Sequence, residues 1–223
     1  MIKQLRLTLG AGLLAIGLIA TASAAPDLGG PWEFTVEVPA LKTVDGKTPP
    51  LTAAGRKLHQ ANQQALTSDP LKKCLPPGIP RIMMQKGFPF DLVIGQDLAG
   101  MFFEWNHMPR PIYLDIEHFE NIGPTYLGQS VAKWEGDTLV VHTNGYNDAT
   151  WLDATGLPHS EDLVTVERIR LKSPDELENR ITFTDARMFT KPWTAVLTFT
   201  RRPGYSVKED YCLQRAGLVD SKE

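Results

Sequence analysis

Apolar residues along this chain recur mostly at every second position, the spacing of a strand with one buried face. Trp32, Phe34, Val36 and Val38 alternate with Glu33, Thr35 and Glu37, and Pro31 limits where that strand can start. Further short runs at 82–85, 90–95, 100–105 and 111–115 lie between Gly, Pro and Asp breaks, as in an antiparallel meander. The clearest hairpin joins 130–134 to 138–143 through Glu135, Gly136 and Asp137. Three later strands are expected at 163–171, 177–184 and 193–201. Leu177, Ile181 and Phe183 share one face, as do Trp193, Ala195, Leu197 and Phe199. One segment, 51–66, has helical spacing: Thr52 can cap it, and Ala54, Leu58, Ala61, Ala65 and Leu66 form its apolar stripe. His59 lies beside that stripe and reads as a surface or packing residue.

About nine short strands and one N-terminal helix predict a mainly β fold. An antiparallel barrel, lipocalin-like, is favoured because closure removes exposed strand edges; a sandwich is the alternative. A barrel of about eight to ten strands has room for a small ligand.

The first residues break this pattern. Lys3 and Arg6 precede an apolar run from Leu7 to Ala20, and Ala22-Ser23-Ala24 is a small-residue cleavage site. The run is about 14 residues, short of the ~20 needed to span a bilayer, so it reads as a signal peptide over 1–24 and not as an anchor. Cleavage would start the mature chain at Ala25 and leave 25–223 as a single β-rich domain, periplasmic or secreted, with no membrane span. A lipid anchor would need a Cys at the cut, where there is none. Residues 25–223 carry 21 Lys and Arg against 26 Asp and Glu, a net charge of −5. With no basic block to neutralise phosphates, nucleic acid is excluded as a partner.

Chemistry is sparse. The chain has no G-x-S-x-G elbow, H-E-x-x-H, C-x-x-C, phosphate loop or dinucleotide fingerprint, so no metal and no cofactor is expected. Cys74 and Cys212 are its two cysteines. In an oxidising compartment they are a natural disulfide; two buried thiols are the alternative. What remains is charge in apolar surroundings. Glu104 sits between Phe103 and Trp105, where a low-dielectric wall would raise its pKa toward that of a general acid or base. Glu167 shares a strand face with Leu163, Thr165, Ile169 and Leu171, and a charge on that face needs a partner or a function. Arg110, between Pro109 and Pro111 in a hairpin-like connection at 107–112, suits a cation offered to a carboxylate, with Asp115 a natural partner. These observations make Glu104, Arg110 and Glu167 a candidate catalytic set around one cavity. His142 lies on a strand face.

Residues 144–162 form a long connection without periodicity that nevertheless holds Tyr146, Trp151 and Leu152. Loops of this length in small domains are commonly functional, and this one is expected to fold over a barrel mouth with His159 at the rim. Asp115, His142, Tyr146, Trp151 and His159 are therefore candidate ligand contacts. Ser160 with Glu161 reads as a turn cap before the next strand.

Three strings carry a resemblance: Cys74-Leu75-Pro76-Pro77-Gly78-Ile79-Pro80-Arg81, Gly128 to Val141 with its W-E-G-D-T-L-V-V core, and Trp151-Leu152-Asp153 followed by Pro158-His159-Ser160-Glu161. With Val166-Glu167-Arg168 and Tyr211-Cys212, they resemble a group of exported bacterial proteins of uncharacterised function, over about residues 27–215. The resemblance implies a Cys74–Cys212 pair and that Arg110, Asp115, His159 and Glu167 belong to the shared pattern. It departs at His142, where the pattern carries Asp, which weakens a catalytic role there. Separately, Gly30-Pro31-Trp32 is similar to the G-x-W that opens the first strand of lipocalins.

Three readings of function follow. The first is a barrel holding a small apolar or amphipathic molecule. The second is an enzyme of the same fold, a lyase, isomerase or hydrolase, using carboxylate acid–base chemistry on a small substrate. The third is an envelope interaction protein.

Overall fold

The alternating runs become nine strands that close on themselves. In the computed structural model, which describes residues 26–36, 38–116, 123–217 and 219, these are β1 (Gly30–Glu33), β2 (Phe90–Ile94), β3 (Leu98–Phe103), β4 (Met108–Leu114), β5 (Gln129–Glu135), β6 (Thr138–Asn144), β7 (Val164–Ser173), β8 (Glu176–Thr184) and β9 (Trp193–Arg201). The expected signal peptide, 1–24, and the cut before Ala25 lie outside the described residues. Each strand pairs with the next, and β1 closes the barrel against β9 through Trp32–Arg201 and Glu33–Thr200.

The barrel is mixed. Ile112–Leu114 of β4 run parallel to Ser130–Ala132 of β5, where an antiparallel meander was expected. The reason is the separation: Leu114 ends β4 and Gln129 opens β5, a spacing in sequence long enough for the crossover that a parallel pair needs. The parallel pairing begins only at Ile112, which is why Pro109 and Pro111, with no N–H to give a ladder, are tolerated earlier in β4. Residues 107–112 are thus largely strand and not connection.

The two ends of the barrel differ. One, the hairpin end, is closed by tight turns at 95–97, 136–137 and 174–175. The other, the loop end, receives the long segments 38–89, 145–163 and 185–192 together with the short turn 104–107. The helix α1 (Ala53–Gln64) belongs to this cap and starts where Thr52 accepts a hydrogen bond from the Gly55 N–H. Its expected apolar stripe is not its buried face, since Leu58 and Leu66 are exposed. It docks instead through Gly55, His59 and Asn62, which share a face at i, i+4 and i+7. Gly55 lies so close to the Met188 carbonyl that a Cβ would come within 2.4 Å of its oxygen. His59 meets Thr155, and the Asn62 side-chain amide donates to the Gly156 carbonyl at 2.9 Å.

A second correction concerns 82–85. This apolar run is not a strand. Arg81–Met84 form a 3-10 turn that buries Ile82 and Met83 in succession, which alternating strand faces do not allow on a one-sided sheet. The first strand is also shorter than its alternation suggested. Phe34 is buried, but Val36 is exposed.

Side chains fill the interior. Phe90 packs on Phe103 and Phe199 with ring centroids 5.4 and 5.2 Å apart, and Phe199 meets Phe34 at 5.9 Å. Near the loop end Trp193 stacks on Phe183 at 4.3 Å and meets Phe189 edge-on at 5.3 Å. After β9 the tail turns back and ends in a short helix, α2 (Cys212–Arg215), tied by a disulfide between Cys74 and Cys212.

Candidate functional site

Five consecutive strands place polar side chains on the inner wall: Arg110 on β4, Ser130 on β5, Thr143 on β6, Thr165 and Glu167 on β7 and Asn179 on β8. Inward positions on these strands are otherwise mainly apolar, so these groups must satisfy one another. The Arg110 guanidinium forms a two-pronged ion pair with Glu167, with Nη1 to Oε1 at 3.3 Å. Its Nε donates to Ser130 Oγ at 3.2 Å, Nη2 donates to Thr143 Oγ1 at 3.0 Å, and Nη1 lies 3.7 Å from the Met101 sulfur. Those contacts use all the donors a guanidinium has. The Asn179 amide donates to Glu167 Oε1 at 2.8 Å. Burial pulls the Arg110 pKa down, but the charge and hydrogen bonds of Glu167 outweigh it and leave the pKa raised. The pair is sealed: Arg110 is 1 % exposed and Glu167 is 0 % exposed.

Above this belt sit the residues of the long connection. Tyr146 is buried and its hydroxyl meets Thr165 Oγ1 at 2.7 Å; burial pushes its pKa up to about 12. Its ring meets that of His159 edge-on, centroids 6.1 Å apart. His159 Nδ1 faces the Ser160 carbonyl at 3.1 Å, so Nδ1 carries the proton and Nε2 accepts from the Thr150 hydroxyl at 2.7 Å. Ser160 gives its N–H and hydroxyl to Asp185 and caps Asp162 N, the turn role expected of it. Trp151 is buried against Arg81, whose guanidinium lies 5.8 Å from the ring centre. Arg81 in turn grips Asp69 with bonds of 2.8 and 2.6 Å. Burial raises the Asp69 pKa, but Arg81 and the Leu71 N–H outweigh it and hold the carboxyl below its usual range. The grip fixes the 3-10 turn whose Met83 sulfur lies 3.9 Å from the Asn179 amide nitrogen.

His159 thus lies inside the cap and not at an open rim. Burial lowers its pKa, against the pull of the Ser160 carbonyl. Between that lowered value and the ordinary one near 6.5, the unfolded chain binds more protons than the folded one, so stability rises with pH there. Its contribution is complete above about pH 6.5 and is lost as pH falls through the folded pKa. Thermal unfolding across pH 7.5 to 5 is expected to show this decline, and His159→Gln is expected to flatten it. An unchanged slope in the variant would contradict the assignment.

Arg110, Glu167, Tyr146 and His159 therefore form one connected group, with Trp151 beside it. The other three candidates lie elsewhere. Glu104, though buried, faces the tail: it accepts from the Tyr205 hydroxyl at 2.5 Å and from the Lys208 N–H at 3.0 Å. Asp115 is exposed and Arg110 is paired with Glu167 instead. His142 is exposed as well; it and Asp115 line a groove of about 590 Å³ on the outer wall with Gln129, Lys133 and Asn144.

A second cavity, of about 550 Å³, opens in the cap between α1 and the 153–157 turn. Leu41, Pro49, Pro50, Leu51 and Leu157 give it an apolar wall; Lys42, Arg56, His59, Asp153 and Thr155 supply polar groups. Asp153 builds the turn, accepting from Thr155 N at 2.9 Å, Thr155 Oγ1 at 2.6 Å, Leu157 N at 3.3 Å and Leu41 N at 2.9 Å. Sequence reasoning missed this site, because its residues come from three separated stretches with no shared periodicity. Asn179 was passed over as well, although a signal existed: it occupies the same strand face as Leu177, Ile181 and Phe183. Among the described residues no group of His, Cys, Asp and Glu could hold a metal, and no helix is long and apolar enough to cross a membrane. No family model and no curated protein matches the chain.

Proposed function

We propose that the protein is an exported binding barrel for a small amphipathic molecule, taken in the cap at the loop end. The observation that carries this reading is the cap cavity of about 550 Å³, a size that suits a small ligand, lined by both apolar and polar groups. The barrel lumen supports it less well, since the aromatic rings and the Arg110–Glu167 belt occupy its inner wall. Acid–base catalysis finds less support than binding: Arg110 has its donors engaged and Glu104 is turned to the tail. Export is supported by the signal-like first 24 residues and by the disulfide.

The test uses N-phenylnaphthylamine, a neutral apolar fluorophore. Saturable one-to-one binding is expected, with energy transfer from tryptophan. Thr190→Trp, a change at an exposed residue of the cavity lining, is expected to weaken it at least several-fold. No saturable binding, or binding indifferent to Thr190→Trp, would overturn the reading.

A further inference from the structure

The charges on the cap cavity are unevenly answered. Its one lining carboxylate, Asp153, is nearly inaccessible and is turned into the chain: Oδ1 accepts three hydrogen bonds from the 155–157 turn and Oδ2 accepts one from Leu41 N. Lys42 and Arg56 line the same cavity, and among the described residues neither stands in an ion pair. Arg56 gives one N–H to the Leu51 carbonyl at 2.6 Å, which anchors its guanidinium at the cavity and leaves other donors over. His59 is oriented by Thr155: Nε2 lies 3.2 Å from that residue's carbonyl, so Nε2 carries the proton. Two cations against one buried carboxylate leave one net positive charge on the lining. Leu41, Leu51, Leu157 and two prolines line the same cavity.

We infer that the ligand is an amphipathic monoanion, a carboxylate on an apolar body, with its head group held by Arg56 and Lys42 and its body on Leu41, Leu51 and Leu157. One net positive charge matches a carboxylate better than a doubly charged phosphate monoester. Arg56 offers a carboxylate the planar pair of donors it binds best. This deepens the proposed binding function and rests on it.

Decanoate and decanol, equal in chain length and different in charge, separate the two claims when each is made to displace N-phenylnaphthylamine. Decanoate is expected to compete at a concentration about tenfold lower than decanol, the worth of one charge-assisted hydrogen bond. Arg56→Gln and Lys42→Gln, both at exposed positions, are each expected to reduce that preference several-fold, with each competitor scored against the fluorophore affinity measured in the same variant. Equal competition by decanoate and decanol, or a preference that survives both substitutions, would overturn the anion site and leave the binding reading intact. A fluorophore that binds but ignores Thr190→Trp would overturn the binding reading and the anion site with it.

Discussion

Glu167→Gln is expected to destabilise the barrel by about 3–5 kcal/mol, because it leaves the Arg110 charge buried with no counter-charge. That is a large part of the 5–15 kcal/mol typical of a domain. Arg110 cannot turn to solvent: it is buried on β4 and already bonded to Ser130 and Thr143, which are neutral. Arg110→Met is expected to cost a similar amount by stranding Glu167 with only the Asn179 amide. The double variant Arg110→Met with Glu167→Leu is expected to recover much of the loss, since two apolar side chains of similar volume need no partners. Urea unfolding followed by tryptophan fluorescence measures all three. Additive losses in the double variant would mean that the residues do not act as a pair. The cycle also separates structure from binding. If the cap cavity is the binding site, fluorophore affinity in a folded double variant is expected to stay near that of the parent.

The strands that build this belt were legible because their alternation survives in one direction of burial. On β7, Glu167 shares a face with Leu163, Thr165 and Ile169, and a charge on such a face has to be paired or used. What was not legible is the partner. Arg110 and Glu167 are 57 residues apart and meet, with β5 and β6 between their strands, only because the closed wall turns both side chains into one interior. Nearness in sequence favoured Asp115, but Leu114 is the last residue of β4 and Asp115 follows it out of the barrel with φ at 56°. The 82–85 run misled for a related reason. Four apolar residues satisfy a strand and a buried turn equally well, and only the surrounding structure decides. The helix shows the opposite case. Its Leu and Ala stripe is regular, yet the cap it faces is made of loop carbonyls and hydroxyls, so the face with Gly55, His59 and Asn62 wins. The parallel β4–β5 pair did leave a signal, the long separation between 114 and 129, which a two-residue hairpin would not need.

Reducing the Cys74–Cys212 bond is expected to lower stability by 2–4 kcal/mol, with about 5 kcal/mol as the chain-entropy ceiling for a bridge that spans 138 residues. The loss should be uneven. Beyond Arg202, which pairs with Glu33 and gives its N–H to the Pro31 carbonyl of β1, the tail's polar contacts gather at the 104–107 turn: Glu104 accepts from Tyr205 and Lys208, Asp210 accepts from the Asn106 N–H at 2.7 Å, and Asn106 Oδ1 accepts from the Cys212 N–H at 3.2 Å. Most of these contacts are only part-buried, where hydrogen bonds contribute modestly. With the bridge gone, residues 202–217 are expected to exchange their amide hydrogens and to be cut by protease well before the barrel unfolds. The other end of the bridge behaves differently. Cys74 sits inside the loop that the Arg81–Asp69 pair closes, so 76–84 is expected to keep its protection. Cys212→Ser, compared with the parent by hydrogen exchange and limited proteolysis, tests both halves. Simultaneous loss of protection in the tail and in 76–84 would mean that the bridge, and not the Arg81–Asp69 grip, holds the turn that carries Met83 into the barrel.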